Sequence, residues 1–235
     1  MTPAEIYLPN VYGDASFLIL DTTRVVLDLE YFNDFDRHYV TKNFSTTARQ
    51  QEWLWGRFVL KQLLQRRFAL LPHELEITSQ HQRPVVAGHT LSVSVSHTNN
   101  FVMAGASWQN AVGVDVETHD ARSSRLAALR SVCSPAEIAQ STAWQDSERV
   151  EDPLYLCWCV KESCVKAGVA PSVFALKSTT LTLRHKSSAL PGSHFMVTPT
   201  PTEFEFASCF CCANFYAAFV VGQPLDRRKT VDKLS

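Results

Sequence analysis

The stretch LSVSVSHTNNFVMAGASWQNAVGVDVE, Leu91 to Glu117, decides the fold class. Its first part alternates with a period of two, Leu91, Val93 and Val95 on one face and Ser92, Ser94 and Ser96 on the other. That is the signature of a strand with one apolar face. Asn99-Asn100 supplies turn chemistry, so Phe101 to Ala106 reads as an antiparallel partner. Val112, Val114 and Val116 then alternate with Gly113, Asp115 and Glu117 in a third strand.

Helical segments flank this sheet. Upstream, Phe17 to Leu29 reads as strands around a turn at Asp21-Thr22-Thr23. A long helix follows, with Thr47 and Gln50 in capping-box form and an apolar face of Leu54, Phe58, Leu60, Leu63, Leu64 and Phe68 before Pro72. Downstream, Ser134-Pro135-Ala136-Glu137 combines an N-cap, a first-turn proline and a capping-box glutamate. Asp152-Pro153 opens a further helix that Gly168 should stop. Strands are expected at Leu181–Arg184, Phe204–Phe210 and Phe215–Val221, and the Ser-, Pro- and Thr-rich stretch Lys186–Thr202 reads as a loop.

The order helix, then paired strands, occurs twice. Gly56–Lys61 has a counterpart in Lys161–Lys166, and Phe101–Ala104 has one in Phe215–Ala218. The expectation is an α+β protein of two similar α/β subdomains, 1–117 and 118–235, in a pseudo-twofold arrangement with a ligand cleft between them.

Composition excludes several classes. Of the 235 residues 46% are hydrophobic, and 22 Lys and Arg against 23 Asp and Glu leave a net charge of -1. A nucleic-acid or anionic-membrane binder would need a basic excess. Met1 to Asn10 has neither the cationic start nor the apolar run of a secretory signal, and Phe206–Val221 is too short and too polar for a membrane span. The seven cysteines do not form the paired C-x-x-C motifs of a zinc site, which suggests buried thiols in a reducing cytoplasm.

Three groups of residues can carry chemistry. Asp115 and Glu117 share one strand face, with Val112, Val114 and Val116 on the other. They read either as a solvated acidic edge or as paired ligands of a hard divalent ion. Trp158, Glu162 and Lys166 lie i, i+4, i+8 on one helical stripe, with Leu156, Val160 and Cys164 on a separate apolar stripe. An exposed ion pair and a third metal ligand or general base, with Lys161 and Lys166 neutralising phosphate, are both open. Ser96-His97 closes the alternating strand, and Arg83-Pro84, Arg49 and Arg57 add possible phosphate donors.

Taken in order, Arg83-Pro84, Ser96-His97, Gly113-Val114-Asp115-Val116-Glu117 and Trp158 to Lys166 resemble the motifs of the 4′-phosphopantetheinyl transferases of the surfactin-synthetase type. Arg49 to Arg57 resembles the arginine-containing helix of the enterobactin-type branch. The resemblance covers Arg49 to Gly168 and implies the two-halved monomeric form of that fold. It implies transfer of 4′-phosphopantetheine from coenzyme A to a serine of an acyl- or peptidyl-carrier protein, with release of 3′,5′-ADP. By the same resemblance Asp115, Glu117 and Glu162 would hold Mg²⁺, with Glu162 the general base and Lys166 and Lys161 on the pyrophosphate. Ser96, His97, Arg83 and Arg49 would hold the nucleotide end of coenzyme A. Nucleic acid and membrane are not expected partners. The carrier could serve fatty-acid, polyketide, siderophore or nonribosomal-peptide synthesis. Two alternatives use the same residues: a Mg²⁺-dependent phosphodiesterase or nucleotide hydrolase, and a non-catalytic coenzyme A-binding module.

Overall fold

The computed structural model describes residues 4–80, 83–118, 123–147, 153–185, 193–200, 204–212 and 215–224. They form a mixed α/β fold that divides into two compact units, Ala4–Val112 and Gly113–Gln223.

The first unit contains β1 (Glu5–Tyr12), β2 (Ala15–Asp21), α1 (Asp34–Asn43), α2 (Thr47–Phe68), β3 (Ile77–Gln80), β4 (Arg83–Val86), β5 (Ser92–Thr98) and β6 (Phe101–Ser107). Its main sheet runs β1-β2-β6-β5 with antiparallel neighbours, and β3–β4 is a separate hairpin. Thr98 pairs with Phe101, which leaves Asn99-Asn100 as a two-residue turn. Asn99 takes φ +40, the left-handed conformation asparagine tolerates and such turns require. Phe58, Val59, Leu60, Leu63 and Leu64 of α2 are buried with Leu18, Leu20, Val93, Val102 and Ala104 of the sheet. Full burial of each such side chain is worth about 1.5–3 kcal/mol relative to exposure. Helix packing therefore fixes this half.

The second unit contains β7 (Asn110–Glu117, crossing the boundary), α3 (Ser123–Val132), α4 (Pro135–Ser147), α5 (Leu154–Lys166), β8 (Thr180–His185), β9 (Ser193–Thr200), β10 (Phe206–Cys212) and β11 (Phe215–Pro224). The sheet order is β7-β11-β10-β9-β8. Leu156, Cys159, Val160 and Cys164 of α5 pack with Phe195, Cys209, Ala218 and Val220 of the sheet in one core.

Several local expectations need correction. No strand forms at Val25–Leu29, where Val26 is 86% exposed and a short 3-10 turn covers Leu29–Tyr31. β1 was not visible as a strand because Pro9 and Asn10 interrupt its alternation, and the structure places a register shift between Leu8 and Tyr12. The stretch read as a loop contains β9, whose Phe195 and Val197 are buried; the surrounding Ser, Pro and Thr hide that short apolar alternation. Thr46, not Thr47, caps α2 by accepting from the Arg49 N–H, and the Gln50 side chain donates instead to the Phe44 carbonyl. Ser134 and Glu137 do form a reciprocal capping box.

The two units share one buried detail, in a register other than the expected one. Lys61 of α2 donates to the Tyr31 carbonyl at 3.1 Å and pairs with Asp36. Lys161 of α5 donates to the Val132 carbonyl at 2.8 Å and to Glu137 at 2.8 Å. In both units the carboxylate is the third residue after a helix N-cap (Asn33, Ser134), and the carbonyl lies two residues before it. Lys61 thus corresponds to Lys161, not Lys166. Removing either lysine would leave a buried carboxylate uncompensated. Among the described residues no helix is long and apolar enough to cross a membrane.

Candidate functional site

Gly113 brings β7 and α5 into contact. A Cβ at Gly113 would lie 1.9 Å from the Ser163 carbonyl oxygen and 2.6 Å from the Ala167 nitrogen, so the helix backbone sits where any other side chain would be. Strand alternation puts Asp115 and Glu117 on the same face as Gly113. Across from them α5 buries Leu156, Val160 and Cys164 in the core and leaves Trp158, Glu162 and Lys166 half-buried.

The ends of that helical stripe each hold one strand carboxylate. Lys166 Nζ donates to Asp115 Oδ1 at 2.7 Å, and the Trp158 indole N–H donates to Glu117 Oε1 at 3.1 Å. Glu162 stands midway between Trp158 and Lys166. The presence of tryptophan is thereby explained: its ring packs against the core and its N–H fixes a carboxylate. Asp115 is only 4% exposed, so its charge requires a close cation. Burial, and then the negative charge of Asp115 and Glu117, push the Cys159 thiol well above its usual range. At neutral pH it stays protonated and is no nucleophile.

The three carboxylates are of the hard-oxygen type that suits Mg²⁺. The convergence expected from the sequence is not seen, however: among the described residues no group of three or more His, Cys, Asp and Glu is arranged to hold a metal ion. The Lys166 ammonium is already the cation on Asp115, and the indole N–H occupies one oxygen of Glu117. The donor atoms are of the type that suits a divalent ion, but Asp115 is paired with Lys166.

Two basic residues read as phosphate contacts are interior instead. Lys161 is 0% exposed and faces Val132 and Glu137, because its position on α5 turns it away from the Trp158–Lys166 stripe. Arg57 donates to the Thr78 carbonyl at 3.3 Å and to Ser79 Oγ at 3.2 Å, and its guanidinium lies 4.6 Å from the Trp53 ring centroid. Burial lowers its pKa to about 10, and its contacts hold α2 to the β3–β4 hairpin.

A pocket of about 320 Å³ lies within the unit Ala4–Val112. Its lining includes Thr22, Gln51, Glu52, Trp55, His97 and Asn100. His97 is therefore among the residues that face a cavity. Ser96 lies on the opposite face of β5 and is 7% exposed; Ser96, Arg49 and Arg83 are not among the described lining residues. Arg49 is 71% exposed and pairs with Glu52 at 3.2 Å, which places it beside the pocket through that carboxylate. Arg83 sits exposed on β4, opposite Gln80. Sequence reading missed Gln51, Glu52 and Trp55; their spacing on α2 put them on one face, but nothing marked that face as a cavity wall.

Residues 111–218 match the family model of the 4′-phosphopantetheinyl transferase superfamily. That span begins in β7 and ends in β11, and it contains the whole β7–α5 face. The match supports the superfamily and, with it, phosphopantetheinyl transfer as the general class of activity. No curated protein matches the chain.

Proposed function

We propose that the protein transfers the 4′-phosphopantetheine group of coenzyme A to a carrier-protein serine in the manner of the surfactin-synthetase and enterobactin-type enzymes. One observation carries the reading. The superfamily match spans both β7 and α5, and between these Asp115, Glu117, Trp158 and Lys166 make direct polar contacts.

In this reading Glu162 removes the proton from the incoming serine hydroxyl, directly or through one water. The serine oxygen attacks the β-phosphorus of the coenzyme A pyrophosphate, and 3′,5′-ADP leaves. Lys166 contacts the pyrophosphate oxygens. Asp115, Glu117 and Glu162 would hold Mg²⁺, which neutralises charge that otherwise repels the nucleophile. We assign the nucleotide end to His97 and the pocket beside it, with the exposed Arg49 and Arg83 of the same unit as further contacts. Trp55 offers a flat apolar wall and Gln51 and Asn100 offer amides, a lining suited to a purine. The acceptor serine belongs to the carrier, so the enzyme needs no nucleophile of its own, in keeping with a Cys159 that stays protonated.

Transfer and hydrolysis predict different stoichiometry. With coenzyme A, Mg²⁺ and apo carrier, 3′,5′-ADP released and resolved by chromatography should equal the carrier supplied and then stop. Continued release without carrier would establish hydrolysis. Binding of coenzyme A without any release would establish a binding module.

A further inference from the structure

The pocket of the first unit has a carboxylate in its wall. Ala48, Gln51, Glu52 and Trp55 stand i, i+3, i+4 and i+7 on α2, so a single helical face supplies one side of the lining. The β5–β6 turn and Thr22 supply the rest. Thr22 fixes that turn, its N–H and its hydroxyl both donating to the Asn100 carbonyl, at 2.7 and 3.1 Å. The Trp55 indole is held edge-to-face against the buried Phe58 ring, with centroids 5.6 Å apart. Among the described lining residues there is no lysine or arginine, and Glu52 is the one carboxylate. Its Oε2 accepts from Arg49 at 3.2 Å, which leaves Oε1 to accept a further donor.

A carboxylate accepts hydrogen bonds and cannot donate them. It repels a phosphate, so Glu52 favours the uncharged base of a nucleotide over its phosphates inside the pocket. At position 6 a purine carries either an amine or a carbonyl. The amine donates to a carboxylate, whereas the carbonyl sets lone pair against lone pair. We propose that Glu52 is a specificity-determining residue that accepts from the 6-amino group of the coenzyme A adenine while Trp55 packs on the ring, so that the pocket selects a 6-aminopurine over a 6-oxopurine. This rests on the function proposed above.

The test compares coenzyme A with its hypoxanthine analogue in carrier loading by the full chain. Wild-type kcat/KM should favour coenzyme A by about tenfold or more, the scale of one hydrogen bond to a charged acceptor. In Glu52→Gln the amide can accept from the amine or donate to the carbonyl, and the ratio should fall to within about twofold of unity. Loss of the Arg49 pair in that variant acts on both substrates alike and cancels in the ratio; Arg49→Gln should accordingly keep the wild-type ratio. Calorimetry with adenosine 3′,5′-bisphosphate and inosine 3′,5′-bisphosphate should give the same preference, and the same loss in Glu52→Gln, with no carrier present. Equal use of both substrates by wild type, or an unchanged ratio in Glu52→Gln, would overturn the assignment, as would failure of both nucleotides to bind. If the nucleotides bind with the expected preference but no carrier is loaded, the role of Glu52 stands and the transferase reading falls.

Discussion

Glu162→Gln is expected to lower the rate of carrier loading by about 10²–10⁴-fold, the usual contribution of a positioned general base, and by more if a metal ligand is lost with it. The substitution preserves shape and removes only the capacity to accept a proton and to carry charge. Glu162 is half-buried on a stripe whose neighbours at each end, Trp158 and Lys166, are anchored independently to β7. The helix should therefore stay in place, and melting temperature should change little. Steady-state loading beside thermal denaturation separates the two effects. A loss of activity explained by a matching loss of folded protein would make Glu162 a packing residue, and unchanged loading would remove it from the mechanism.

Gly113→Ala should cost at least about 3 kcal/mol of stability, the upper end of ordinary overpacking. The added Cβ would meet main-chain atoms: the Ser163 carbonyl oxygen at 1.9 Å, its carbon at 2.9 Å and the Ala167 nitrogen at 2.6 Å. The Ala167 N–H already donates to that carbonyl at 2.8 Å, so the clash falls on a hydrogen bond that ends α5. Rotamer changes cannot relieve it. Only movement of the helix off the strand can, and such movement pulls Lys166 from Asp115 and Trp158 from Glu117. Urea unfolding should show the loss, and loading should fall in the fraction still folded. A cost below about 1 kcal/mol would mean that α5 and β7 are not in the contact described here.

Period-two alternation at Leu91–Val95 and Val112–Val116, and the capping box at Ser134–Glu137, are local signals, and each specifies its element without help from tertiary packing. The spacing of Trp158, Glu162 and Lys166 likewise identifies a stripe. Its partners were beyond reach, because which donor meets which carboxylate depends on the approach of α5 to β7. Lys161 shows the limit most clearly. One position from Glu162 in sequence, it is turned into the core, where Glu137 and the Val132 carbonyl receive it. A lysine beside a motif looks like part of the motif; helical rotation by one residue makes it structural. Arg57 was misread for a related reason. Nothing local reveals that a guanidinium will be desolvated against Trp53 and the β3 backbone. β9 was missed because its short alternation is surrounded by residues typical of loops.

The proposed reaction moves one chemical group, and intact-protein mass spectrometry reads that transfer directly. An apo carrier incubated with this protein, coenzyme A and Mg²⁺ should gain the mass of one phosphopantetheine, localised to a single serine. Asp115→Ala should leave the carrier unmodified. A carrier that keeps its original mass, while coenzyme A is consumed or merely bound, would contradict the proposed reaction.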